Sequence, residues 1–110
     1  MAKHKELLQV MENEKPYLNP KLTLNELSQR LDMSSNNMSQ LINQYEQVNF
    51  YDFVNKYRVE EFISRARSNT NFSILAHALD AGFNSKSSFN SIFKKFKSET
   101  PSQFLARLKE

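Results

Sequence analysis

One glycine in 110 residues, Gly82, leaves this chain very little backbone freedom for tight reversals. Two-residue hairpins draw on Asn-Gly, Asp-Gly or Gly-Gly turns, and none of these pairs occurs. Alternating apolar residues are absent too, so a strand would have neither a face nor a turn to pair through. Phosphate-cradling loops of the GxGxxG or GxxxxGK type need several glycines and are excluded on the same ground. What remains is helix.

Helical spacing recurs along the chain, with start signals where helices need them. Leu7, Leu8 and Met11 predict an amphipathic helix over about residues 3–15, closed by Pro16. Thr23 with Glu26 three residues on reads as a capping box, followed by Leu24, Leu27 and Leu31 on one face. Ser34 starts the next helix, with Met38, Leu41 and Ile42 inside. Asn49 starts a longer one to about Arg67, with Phe50, Phe53, Val54, Tyr57, Phe62 and Ala66 inward. Ser73 and Ser85 start two more, and Thr100-Pro101-Ser102-Gln103 combines a cap, a first-turn proline and a capping-box glutamine. The expected class is all-α: seven helices, with Ser68-Asn69-Thr70-Asn71 as a polar break.

Two stretches, 23–45 and 73–96, repeat one plan of short helix, turn and second helix. Leu24 aligns with Ile74 at an offset of 50. Beyond the turn, Met38, Leu41 and Ile42 align with Phe89, Ile92 and Phe93 at 51, so the second copy has one extra turn residue. Gly82 falls where the turn needs a left-handed backbone, and Asp32 takes the matching place in the first copy. Any small helical bundle has helix pairs; the matched caps and the polar second helices point further, to nucleic acid. Those helices carry Asn36, Asn37, Ser39, Gln40 and Asn43 in one copy. The other carries Lys86, Ser87, Ser88, Asn90, Ser91, Lys94 and Lys95. Amides and hydroxyls suit base edges and phosphates, lysines suit phosphates, and no acid stands on either exposed face.

Charge leans the same way. Residues 1–55 hold 5 basic and 7 acidic side chains, a net of −2; residues 56–110 hold 10 and 5, a net of +5. The second half therefore favours a polyanionic partner, although a solvated basic face has the same composition. Catalytic chemistry has little to work with. Cysteine is absent, His4 and His77 lie far apart, and Glu60, Glu61 and Asp80 have no partnered histidine or metal site, so enzymatic activity is not expected. No apolar run nears the ~20 residues of a membrane span, and no signal peptide opens the chain. His77 is read as a packing residue. Arg58 is expected to brace the long helix through a carboxylate such as Glu61 or Glu26. The phenylalanines Phe50, Phe53, Phe83, Phe89, Phe93 and Phe96 are read as core.

The run from Ala81-Gly82-Phe83-Asn84-Ser85 to Ser88-Phe89, with Phe93-Lys94-Lys95-Phe96 and Thr100-Pro101, resembles the signature of the AraC/XylS family of bacterial transcription regulators. Asn49 to Val59 resembles that family's linker helix, and Leu22-Thr23-Leu24-Asn25-Glu26-Leu27 its first helix-turn-helix. Together these cover about residues 15–107. The resemblance implies one DNA-binding domain over 1–110: a first helix-turn-helix unit at about 3–46, a linker helix at 49–67 and a second unit at 72–109. Its function would be sequence-specific binding of double-stranded DNA, with recognition helices at about 34–45 and 85–96 in successive major grooves. The linker, about 27 Å at 1.5 Å per residue, suits grooves one turn apart, about 34 Å.

Carried onto matching positions, base contacts are expected from Asn36, Ser39 and Gln40 and from Lys86, Ser87, Asn90 and Ser91. Phosphate contacts are expected from Ser34, Asn37, Ser85, Ser88, Lys94, Lys95 and Lys97. The family often carries arginine where Gln40 and Ser91 stand here, and glycine where Ser98 stands, which puts the readout and that helix end in question. No cofactor, no metal and no small-molecule site is expected in this chain. RNA polymerase is a further partner of such regulators. A sensing or dimerising domain is missing, so the chain reads as the C-terminal piece of a longer regulator, cytoplasmic or with a membrane-anchored parent. The alternative from another class is an all-helical protein-interaction module that binds through the linker helix.

Overall fold

The computed structural model describes residues 2–108, and every described element is helical. Seven α-helices follow one another: α1 (Ala2–Asn13), α2 (Leu24–Arg30), α3 (Ser35–Glu46), α4 (Phe50–Ser68), α5 (Ile74–Asp80), α6 (Lys86–Lys97) and α7 (Pro101–Leu108). The expected boundaries fall within two residues of these. One feature is new. α1 stops short of Pro16, Lys15 takes a left-handed backbone (φ 50°), and Pro16–Leu18 forms a 3₁₀ turn. Proline's missing N–H suits the first position of such a turn.

The chain divides into two compact units, Met1–Asn55 and Lys56–Glu110. In the first, Leu7, Met11, Tyr17, Leu27, Leu31, Met38 and Ile42 are buried, with Phe53 and Val54 from the start of α4. Each such side chain contributes about 1.5–3 kcal/mol over leaving it exposed. Polar contacts hold α1 in place beside its apolar stripe. Lys3 Nζ donates to the Leu31 carbonyl (2.6 Å), one of the acceptors that the end of α2 leaves unused. His4 Nε2 lies 2.6 Å from a Glu46 carboxylate oxygen, and its ring stacks on Tyr45 with centroids 4.5 Å apart. Arg30 reaches Glu14 at 2.8 Å.

In the second unit, Val59, Phe62, Ile63 and Ala66 of α4 share a core with Ala78, Ala81, Phe83, Phe89, Ile92 and Phe93. Aromatic pairs dominate it: Phe62–Phe89 at 4.7 Å, Phe83–Phe89 at 5.1 Å and Phe93–Phe104 at 5.5 Å. The tilted and edge-on geometries are those that aromatic quadrupoles favour. The phenylalanines expected in the core are buried, except Phe50 and Phe96, which are half-buried. His77 packs as expected. It is buried against Phe72, and its Nε2 donates to the Asn69 carbonyl at 2.6 Å.

Candidate nucleic-acid interface

The turn between α2 and α3 and the turn between α5 and α6 are bonded alike. Asp32 N–H donates to Gln29 O and Met33 N–H to Ser28 O; Gly82 N–H donates to Leu79 O and Phe83 N–H to Ala78 O. Every donor and acceptor in the second set sits 50 residues after its counterpart. This is the reciprocal closure of a helix end around a left-handed residue. Asp32 supplies it at φ 56° and Gly82 at φ 105°.

The helix starts match as well. Thr23 Oγ1 accepts from Glu26 N–H (3.1 Å) and Ser73 Oγ from Ala76 N–H (3.0 Å). Ser34 Oγ accepts from Asn37 N–H and Ser85 Oγ from Ser88 N–H, each at 3.1 Å. As acceptors, the Ser34 and Ser85 hydroxyls keep a proton to donate outward. The capping box adds the return bond from Thr23 N–H to Glu26 at 3.1 Å. Glu26 is thus engaged in its own cap, and Glu61 binds Arg65 at 2.7 Å. Arg58 is buried in its unit.

Each second helix buries one face and exposes the other. α3 buries Met38 and Ile42 and exposes Asn36, Asn37, Ser39, Gln40, Asn43 and Gln44. α6 buries Phe89, Ile92 and Phe93 and exposes Lys86, Ser87, Asn90, Ser91, Lys94 and Lys95, with Ser88 half-buried. Each predicted set of base-contact residues therefore shares one outward face of its own helix. Glu46, the only acid on α3, is turned to His4.

Lys97 departs from its companions. Its ammonium pairs with Glu60 at 2.7 Å and lies 5.9 Å from the Phe104 ring centre, which fixes it to the unit's own surface. The two residues are 37 positions apart, so no local spacing marks them. Lys95 lies over Phe96 at 5.8 Å. Ser98, which stands in place of the family's usual glycine, takes the left-handed conformation itself (φ 63°), and its N–H donates to Lys94 O at 2.8 Å. Glu99, hydrogen-bonded to Arg107 at 2.6 Å and then by its charge, raises the already high pKa of that guanidinium.

An apolar groove of about 570 Å³ lies elsewhere on the second unit, lined in part by Phe72, Ile74, His77, Leu105 and Leu108. Phe72 is exposed at the groove, and Leu75 and Leu79 are exposed on α5, where the first unit has Leu22, Asn25 and Gln29. Nothing in the sequence reading anticipated this surface. Among the described residues no acidic, histidine or cysteine cluster could hold a metal ion, and no helix is long and apolar enough to cross a membrane.

A helix-turn-helix domain family of the AraC type matches residues 27–107, nearly three quarters of the chain. The chain belongs to this family. Solved structures repeat the fold of the AraC-type domain seen here. The C-terminal domain of AraT, a response regulator from Geobacillus stearothermophilus, superposes with a TM-score of 0.81 at 23% identity, covering 94% of this chain and 84% of that one. The C-terminal domain of the two-component response regulator yesN from Fusobacterium nucleatum gives 0.78 at 25% identity, covering 94% and 98%. A DNA-binding transcriptional dual regulator from Escherichia coli K-12 gives 0.77 at 20% identity, covering 96% and 90%. No curated protein matches the chain significantly.

Proposed function

We propose that this AraC-type domain binds double-stranded DNA in a sequence-specific way to regulate transcription. Each unit would lay the N-terminal part of its second helix, α3 or α6, in a major groove, with the first helix of the pair buttressing it. The observation that carries this reading is the repetition itself. Two bonded copies of one helix-turn-helix, differing in core composition, both end in a helix whose outward face is polar and free of unpaired acids. Major grooves are wide enough for a helix, and amides and hydroxyls are the groups that read base edges there.

Within this reading Asn36, Ser39, Gln40, Lys86, Ser87, Asn90 and Ser91 face bases. Ser34, Asn37, Ser85, Ser88, Lys94 and Lys95 face the backbone. Lys97 joins the backbone set only by giving up Glu60. The reading is one of binding rather than catalysis, since Glu60 and Glu61 serve ion pairs to Lys97 and Arg65. Regulation would add RNA polymerase as a partner and a sensing or dimerising domain as the source of the signal, and the work would be cytoplasmic.

The test is a titration against a randomised duplex pool at two salt concentrations, with the bound fraction sequenced. Two short enriched motifs about 10 base pairs apart, lost at high salt, are the expected result. Salt-sensitive binding without enrichment would leave a DNA-binding domain whose specificity comes from elsewhere. Absence of binding at both salts would overturn the reading in favour of a protein-interaction module.

A further inference from the structure

Aligned at their shared offset of 51, the two recognition helices carry different chemistry at their matched polar positions. Asn36 stands against Ser87, Asn37 against Ser88, Gln40 against Ser91, Asn43 against Lys94 and Gln44 against Lys95; only Ser39 against Asn90 reverses the trend. Asn36, Gln40 and Asn43, at spacings of four and three, form one line of amides along α3. The corresponding line on α6 is Ser87, Ser91 and Lys94. The fold does not demand this difference, because both helices bury the matched pairs Met38/Phe89 and Ile42/Phe93 and carry the same serine caps.

From this we infer that the two units divide the work, α3 reading adenine and α6 supplying most of the electrostatic hold on the backbone. The inference rests on the DNA-binding reading above and deepens it. An asparagine or glutamine amide matches adenine in the major groove, donating to N7 and accepting from the N6 amino group. α3 offers the amide line Asn36, Gln40 and Asn43 and no basic side chain, so the duplex segment it fits is one with adenines at successive readable positions. Charge supports the division: the first unit is net −2 and the second net +5 over the same residue ranges, and α6 exposes Lys86, Lys94 and Lys95, with a fourth lysine, Lys97, held by Glu60. Serine reaches less far than glutamine, so at two of the three central positions α6 offers only a short, permissive hydroxyl. Its longer base-reaching groups, Lys86 and Asn90, sit to one side of that line.

The experiment uses the full chain. Duplexes are selected from a randomised pool by the native chain and by a variant carrying Asn36→Ala and Gln40→Ala, both exposed helical positions where alanine keeps the helix. In the selected duplex, adenines of the half-site lost by the variant are then replaced by 7-deazaadenine, which pairs normally but lacks the N7 acceptor. The expected result is an adenine-containing half-site that disappears from the variant's selection. Affinity of the native chain should fall about tenfold or more on 7-deazaadenine DNA, with little further fall for the variant. The salt dependence of the variant should stay that of the native chain. If the half-site lost by the variant is read at G·C pairs, or if 7-deazaadenine leaves native binding unchanged, the adenine assignment is overturned while DNA binding stands. If the native chain binds duplex but enriches no sequence, the adenine assignment is overturned while DNA binding stands; if it binds no duplex at either salt, the DNA reading fails and the assignment fails with it.

Discussion

Asp32 and Gly82 hold the same left-handed position in two copies of one turn, at φ 56° and 105°. The difference in angle matters. Near 56° the left-handed well admits an aspartate, whereas at 105° a side chain meets the neighbouring peptide. Gly82→Ala should therefore cost about 1–2 kcal/mol, whereas Asp32→Gly should change stability by less than about 1 kcal/mol. Urea unfolding of the two variants checks this. Equal costs for Gly82→Ala and Asp32→Ala would mean that the second turn is no more demanding than the first.

The His4–Glu46 contact ties α1 to the end of a recognition helix. His4→Ala removes a half-buried hydrogen bond and a stacked ring, together about 1–2 kcal/mol. Hydrogen exchange should show α3 amides opening about tenfold more readily, while Lys5→Ala, at an exposed position on the same helix, leaves them unchanged. Unchanged α3 protection in His4→Ala would make the contact ornamental.

Salt dependence should separate the lysines at the end of α6. Lys94→Ala should lower the log–log salt slope of DNA binding by about 0.9, the value for one neutralised phosphate. Lys97→Ala should lower it clearly less, since Glu60 already holds that ammonium. Equal losses would show that Lys97 leaves Glu60 for the DNA.

Lys86 and Asn90 face outward together from the first turns of α6. Changing both to alanine should reduce discrimination between the selected site and competitor DNA by about 1–3 kcal/mol, with helicity by circular dichroism unchanged. A uniform loss on all sequences would assign the pair to phosphates instead.

The parts of this molecule that could be read from the sequence are those set by neighbours within one helical turn. Thr23, Ser34, Ser73, Ser85 and Thr100 all cap the helices expected of them, because a cap depends on an N–H three residues away. The repeat was legible for a related reason: the turn needs a left-handed residue, and the chain has one glycine to mark it. Contacts between distant residues left no such trace. Lys3 on the Leu31 carbonyl, His4 on Glu46 and Glu60 on Lys97 join residues 28 to 42 positions apart, and only the folded backbone brings them together. Leu75 and Leu79 were illegible in another way. Their spacing resembles that of core residues, yet α5 turns them outward.

The bare amide face of α3 also bears on the time a regulator spends searching. Charge holds a protein to DNA wherever it lands, and sliding is fast because every phosphate resembles the next. A unit that adds little charge can probe each register and withdraw without slowing the passage. The exposed lysines of α6 would then keep the protein on the duplex during the search, and the line of Asn36, Gln40 and Asn43 on α3 would decide where the search stops.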